Sequence, residues 1–386
     1  MSRVRTLPAA ADVVVIGGGI MGVSTAYHLA SAGQRVVLLE QGALGQGSTC
    51  HAAGGVRGFF SDEVNIQIGL RSLEVFERFG DLFGTEIDLH QTGYLFLVDD
   101  ADDLAVFERN VALHNAAGGD SRMISAAEAK RLSPLIDSTG ILGAAWSPRD
   151  GHCTPESVVQ GYAKAGRAAG ATLLTNCPAT GIETDGSRIV QVVTAAGAIR
   201  TDQVVCAAGA WSAQVGGWVG VDLPVVPLRR QIAITEPIPG LDPKTPFTID
   251  FTTSLYFHRE GEGLLVGCPE SVDSWSFDTS RDPGWLTTLA EAIERRVPAL
   301  GEFGIGRGWA GLYEMTPDHN AVIGRSRTVP GFVYACGFSG HGFLMGPAIG
   351  EVLRDLCLDR EPVVDVTSLD AERFSAAGAR PELNVV

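Results

Sequence analysis

The segment Gly17-Gly-Gly-Ile-Met-Gly22 constrains this chain more than any other. It follows Asp12-Val-Val-Val-Ile16, an apolar run of the kind that forms a parallel strand buried on both faces. After it, Val23, Ala26, Tyr27 and Ala30 recur at helical spacing, Gly33 supplies a stop, and Arg35-Val-Val-Leu-Leu-Glu40 reads as a second buried strand. A G-x-G-x-x-G between a strand and a helix has a physical meaning. Gly17 permits the tight turn, Gly19 lets backbone approach a pyrophosphate, and Gly22 lets the helix pack closely on the strand. The anion then meets free N–H groups at the helix N-terminus. Glu40 ends the second strand, 18 residues after Gly22, where a carboxylate can accept bonds from a ribose diol and repel a 2′-phosphate. A dinucleotide with a free 2′-hydroxyl is indicated; the plain alternative is a glycine turn beside a core-edge glutamate.

Composition narrows the class. Glycine is abundant, 48 of 386 residues, so the fold needs many tight turns or close backbone approaches. With 29 Lys plus Arg against 45 Asp plus Glu the net charge is −16, which argues against a nucleic-acid partner. Apolar residues at 45% and charged residues at 19% exclude bulk disorder. Seven scattered cysteines without CxxC suggest neither a disulfide framework nor a metal site and fit a reducing cytoplasm. No signal-peptide core precedes Asp12, and no window reaches the ~20 apolar residues of a membrane span. A cytoplasmic protein is expected.

Downstream, a helix is expected from about Asp62 to Phe79, a strand over Thr92–Val98, a helix over Leu104–Ala117, and a capping box at Ser125-x-x-Glu128. Thr154-Pro155 opens another helix. Three strand-like runs fill Ala171–Ala207, Asp282-Pro283 caps a helix, and a strand at Gly331–Gly337 leads to a helix near Pro347–Leu358. The tail from Ser375 offers little to bury and is expected to be loosely ordered. Dinucleotide-like turns recur at Ala207–Ala210 and Gly337–Gly342. One cofactor touched by three distant segments implies a discontinuous cofactor domain, unlike the continuous six-strand domain typical of nicotinamide enzymes.

With these motifs the chain resembles the glycine oxidase, sarcosine oxidase and D-amino-acid oxidase family of flavoproteins, over nearly its whole length. The resemblance rests on Val15–Gly22, Gly-Ser-Thr-Cys-His-Ala-Ala-Gly-Gly (47–55), Gln-Thr-Gly-Tyr-Leu (91–95), Ala-Ala-Gly-Ala-Trp-Ser (207–212), Trp-Ala-Gly-Leu (309–312), Thr-Pro-Asp (316–318) and Gly-Phe-Ser-Gly-His-Gly-Phe (337–343). It is also similar to the β subunits of dye-linked L-proline dehydrogenases. The implied fold is α/β plus α+β. A discontinuous Rossmann-type FAD-binding domain (1–85, 150–220, 321–375) joins a β-rich substrate domain (86–149, 221–320), with a tail at 376–386.

The implied cofactor is FAD. The resemblance places Gly47 against the cofactor, Ser48 and Thr49 at the pyrophosphate or flavin edge, and Ala52, Gly54 and Gly55 near the isoalloxazine. Ala208, Gly209 and Trp211 fall beside the ribityl chain, and Gly340, His341, Gly342 and Phe343 at the flavin O2/N1 side. Ile20, Met21, Gln41, Ala179, Gly337 and Ser339 complete the implied contacts. His51 matches the histidine that carries covalent flavin in dimethylglycine dehydrogenase, whereas many relatives bind FAD non-covalently.

Arg57 matches an arginine that grips the substrate carboxylate in sarcosine oxidases; a solvated loop arginine is the alternative. Tyr256 lies near an active-site tyrosine of glycine oxidases, and Tyr313 and His341 join it as candidate catalytic residues. Tyr313 stands where glycine oxidases carry an arginine, and Leu344 and Leu265 replace lysines of monomeric sarcosine oxidase. The pocket is therefore expected to be less cationic, suiting an N-substituent larger than methyl. The implied reaction is hydride transfer from a secondary amino acid, chiefly an N-substituted glycine, to FAD. The imine then hydrolyses to glyoxylate and an amine, and O2 or an electron carrier reoxidises the flavin. The rivals are an L-proline dehydrogenase-like subunit and a non-catalytic flavin-fold regulatory subunit. Homo-oligomers or partner subunits fit either enzyme reading.

Overall fold

The computed structural model describes residues 7–375 and 379–384. Val13–Ile16 lies inside a six-stranded sheet ordered Val322–Arg325, Phe332–Cys336, Val204–Cys206, Val13–Ile16, Val36–Leu39, Thr172–Leu174. All neighbours are parallel except the first pair. The unbroken apolar run is explained by alternation across the sheet. Val13 and Val15 pack into one core and Val14 and Ile16 into the other, so both faces are dry. Helices Ile20–Ser31, Pro155–Ala168 and Gly342–Cys357 pack together on one face. A hairpin sheet, Ala179–Asp185, Arg188–Thr194 and Gly197–Arg200, contributes to the core of the other.

The second layer is an eight-stranded sheet ordered Ile305–Met315, Val226–Thr235, Gly263–Cys268, Leu255–Glu260, Phe247–Asp250, Tyr94–Val98, Gly143–Ser147, Arg122–Ile124. It is antiparallel apart from the pairing of Phe247–Asp250 with Tyr94–Val98. Together the layers form the mixed α/β and α+β architecture expected from the sequence. Among the described residues no helix is long and apolar enough to cross a membrane.

Several expectations need correction. The span 171–207 contains five strands rather than three, because the short runs Thr172–Leu174 and Val204–Cys206 join the parallel sheet at either end of the hairpins. Asp282 accepts from the Gly284 amide (2.9 Å), and Gly284, not the Asp-Pro pair, occupies the cap of helix Trp285–Arg296. The last helix begins at Gly342, with Pro347 inside it. Proline removes one helical donor, but the Ser72 hydroxyl bridges that turn, donating to the Met345 carbonyl (3.2 Å) and accepting from the Ala348 amide (3.1 Å).

The tail expectation also fails for residues 379–384; residues 376–378, 385 and 386 lie outside the described set. Glu382 is 1% exposed and Asn384 is fully buried. The Glu382 carboxylate accepts from the Ser61 amide (3.0 Å) and hydroxyl (2.6 Å), from Asn65 Nδ2 (2.8 Å) and from the Asn384 amide (3.0 Å). The segment is tied down by polar bonds rather than apolar burial.

Candidate active site

A continuous cavity runs from the carboxyl ends of strands Val13–Ile16 and Val36–Leu39 onto the inner face of the eight-stranded sheet. This end of the strands is where open α/β sheets bind ligands. The cradle is closed by absent side chains. A Cβ on Gly22 would lie 1.9 Å from the Gly17 carbonyl oxygen, and one on Gly17, at φ +111°, would lie 2.2 Å from that of Ala207. Helix Ile20–Ser31 has no capping side chain and no acidic residue in its first turn, so its positive end is open to an anion. Glu40 holds the approach: its carboxylate accepts from the Gly18 and Gly42 amides, both at 2.7 Å. The Ser48 hydroxyl is buried without a partner among the described residues, while Thr49 Oγ1 accepts from the Ile20 amide (3.1 Å). Cradle, open helix terminus and orphan hydroxyl together fit a dinucleotide diphosphate.

Gly17, Gly19, Ile20, Met21, Glu40, Gln41, Gly47, Ser48, Thr49, His51, Ala52, Gly54, Gly55, Ala179, Ala208, Gly209, Trp211, Gly340, His341, Gly342 and Phe343 line the cavity. Gly22, Gly337 and Ser339 do not. Gly22 serves helix–strand contact, Gly337 donates to Glu314 Oε2 (2.9 Å), and the buried Ser339 hydroxyl accepts from the Thr316 amide (3.3 Å). His51 Nδ1 donates to the Gly47 carbonyl (2.7 Å).

All four candidate catalytic residues border the same space. Arg57 is only 3% exposed, and its guanidinium is engaged by the protein: Nη1 donates to the Phe59 carbonyl, and Nη2 to His341 Nε2 (2.9 Å) and the Asn384 carbonyl (2.8 Å). It also lies 4.2 Å from the Phe60 ring centroid. Burial and the neighbouring guanidinium hold the His341 pKa well below its ordinary value, so the ring is the neutral acceptor. Burial pushes Tyr256 and Tyr313 upward, leaving protonated hydroxyls. The sequence reading missed Tyr94, Phe247, Glu314 and Arg230, which also line the cavity. Tyr94 stacks on Phe247 at 4.3 Å. Arg230 restores a positive charge where Tyr313 replaces the expected one, so the pocket holds two guanidiniums. Leu344 lines it, whereas Leu265 sits in the core behind.

Burial raises the Glu314 carboxyl to about 7. Its proton is held more tightly in the folded protein than in the unfolded chain, so it contributes stability at low pH that is lost as pH rises from about 4.5 through about 7. The full effect is on the order of 3 kcal/mol. Glu314→Gln, which keeps a carbonyl for Gly337, should therefore lose less thermal stability than the parent between pH 5 and pH 8. Parallel melting curves across that range would discard this assignment.

The fold and the cradle describe a flavin-dependent oxidoreductase. Residues 12–356 match the family model "DAO: FAD dependent oxidoreductase", and the chain belongs to that family, with FAD as its cofactor. It is 34% identical to human mitochondrial sarcosine dehydrogenase over 96% of its own length but only 42% of that protein's. Rat mitochondrial dimethylglycine dehydrogenase is 32% identical, with 94% and 45% covered. The chain thus spans less than half of these curated relatives. Among solved structures, L-proline dehydrogenase from P. horikoshii superposes with a TM-score of 0.91 at 33% identity, covering 97% of this chain and all of that one.

Proposed function

We propose that the protein oxidises a carboxylate-bearing secondary amine, chiefly an N-substituted glycine, to an imine that water hydrolyses to glyoxylate and an amine. The observation that carries this reading is the cavity beyond the dinucleotide cradle, which combines guanidinium and tyrosine hydroxyl groups with the apolar side chains of Phe247, Ile249 and Leu344. Such a site orients a carboxylate at one end and shelters an apolar substituent at the other. Bound FAD would supply the two-electron acceptor for the substrate C–H bond, with O2 as terminal oxidant giving H2O2. The residues that would hold it are the Gly17–Gly22 turn, Glu40, Ser48 and the Gly340–Phe343 turn. Protein groups bind, orient and exclude water; hydride transfer from a neutral amine needs no side-chain base.

Names among the relatives, sarcosine dehydrogenase, dimethylglycine dehydrogenase and 4-methylaminobutanoate oxidase, support an N-substituted substrate. The likeness to L-proline dehydrogenase favours a second reading, proline oxidation with another electron acceptor. Anaerobic mixing with N-alkylglycines and L-proline, followed by visible flavin absorbance, separates them. Bleaching is expected to be faster with N-alkyl groups larger than methyl than with sarcosine. Faster bleaching by proline installs the second reading, and no bleaching by any amine removes both.

A further inference from the structure

The substrate's charged end has two candidate partners in the cavity, and they are not equivalent. The Arg57 guanidinium already serves Phe59, His341 and Asn384. Its charge also lies in the field of Glu382 and Asp150. It holds the docked tail and the His341 ring in place.

Arg230 differs. It lies on strand Val226–Thr235 opposite Gly311, with Tyr313 two residues further along the partner strand and its guanidinium carbon 5.8 Å from the Tyr313 ring centroid. Among the described residues both of its bonds come from Nη1, to the Arg229 carbonyl (3.1 Å) and to Asp273 Oδ1 (2.9 Å). Nε is buried with no partner among the described residues. The edge formed by Nε and Nη2 is the one other arginines of this protein give to carboxylates: Arg229 to Glu270, Arg149 to Glu77 and Arg373 to Asp318 each use that pair. At Arg230 no carboxylate among the described residues fills it, and an orphan buried donor favours any acceptor that reaches it. Tyr256 leans over Gly267 on the same wall: a Cβ on that glycine would lie 2.3 Å from the tyrosine hydroxyl. Arg230 also exerts its field on Tyr256 and Tyr313.

We propose that Arg230, through its Nε/Nη2 edge, is the residue that binds the substrate carboxylate, with Arg57 acting as a positioning residue for the tail and His341. This rests on the amino-acid reading above. It makes Arg230 the determinant of selectivity for amino acids over simple amines, and it orients the substrate from the Tyr256–Tyr313 wall.

The test uses the FAD-loaded protein and two non-reacting probes, furan-2-carboxylate and the neutral furan-2-carboxamide, with binding read from the flavin spectrum. Arg230→Met should weaken the carboxylate about 10- to 100-fold, the loss expected for a charge-assisted pair, and leave the carboxamide within about threefold. Arg230→Lys should recover part of the loss, because it restores charge without the fork. Arg57→Lys should lower thermal stability more than it weakens the carboxylate. Carboxylate binding unchanged in Arg230→Met, or weakened more by Arg57→Lys, overturns the assignment. If the parent protein answers to neither probe and to no amine, the amino-acid reading itself fails.

Discussion

Gly22→Ala should purify without its yellow colour and rebind FAD at least 30-fold more weakly than the parent. The added Cβ would sit 1.9 Å from the Gly17 carbonyl oxygen and 2.9 Å from its carbon, so both obstacles are backbone and neither can swing aside. Helix Ile20–Ser31 must move off the strand end, and its N-terminal amides lose their aim at the diphosphate. Overpacking of this kind costs about 1–3 kcal/mol before the lost anion contacts are counted. Gly33→Ala is the matched control. Gly33 also has positive φ (+88°), but nothing lies within 4 Å of its added Cβ, so it should cost stability and leave FAD affinity unchanged. Equal FAD retention by the two variants would refute the role assigned to Gly22.

Arg296→Met should destabilise the substrate-facing layer by about 3–5 kcal/mol, the cost of leaving a buried charge unpaired. Arg296 is 2% exposed, and its Nε donates to Asp250 Oδ1 at 2.7 Å, where Asp250 is 1% exposed. Nη2 reaches Asp99 (3.0 Å) and Nη1 the Asp137 carbonyl (2.8 Å), so one side chain joins helix Trp285–Arg296, strand Phe247–Asp250 and two loops. Asp99 retains Arg295 (2.9 Å) and solvent, but Asp250 has no other cation among the described ion pairs. Urea unfolding followed by tryptophan fluorescence measures the loss. Adding Asp250→Asn to Arg296→Met should recover more than half of it, since the stranded charge is then gone. If the double variant is no better than the single one, lost packing rather than an uncompensated carboxylate explains the effect.

The dinucleotide cradle was legible from residues alone because its requirements are local. A turn that tolerates no Cβ, an uncapped helix and an acid at the end of the next strand each impose a residue type at a fixed spacing, as Gly17, Gly22 and Glu40 do. The buried parallel strands were legible for the same reason: Val13–Ile16 is apolar at every position because both sheet faces are covered. Arg230 was not legible. Adjacent Arg229 and Arg230 must point to opposite faces of their strand, but which one enters the cavity depends on the register with Ile305–Met315, and a slip of one residue would exchange them. The tail was hidden more deeply. Glu382 and Asn384 find Ser61, Asn65 and Arg57 more than 300 residues earlier in the chain, and no local pattern marks such polar docking. Sequence by itself determined that a dinucleotide is bound, because close backbone contact with it constrains neighbouring residues, and its wider motif set carried the resemblance that implied FAD. Only the tertiary structure decided which guanidinium is engaged by the protein and which keeps an unpartnered donor, because that division is made by partners from distant segments.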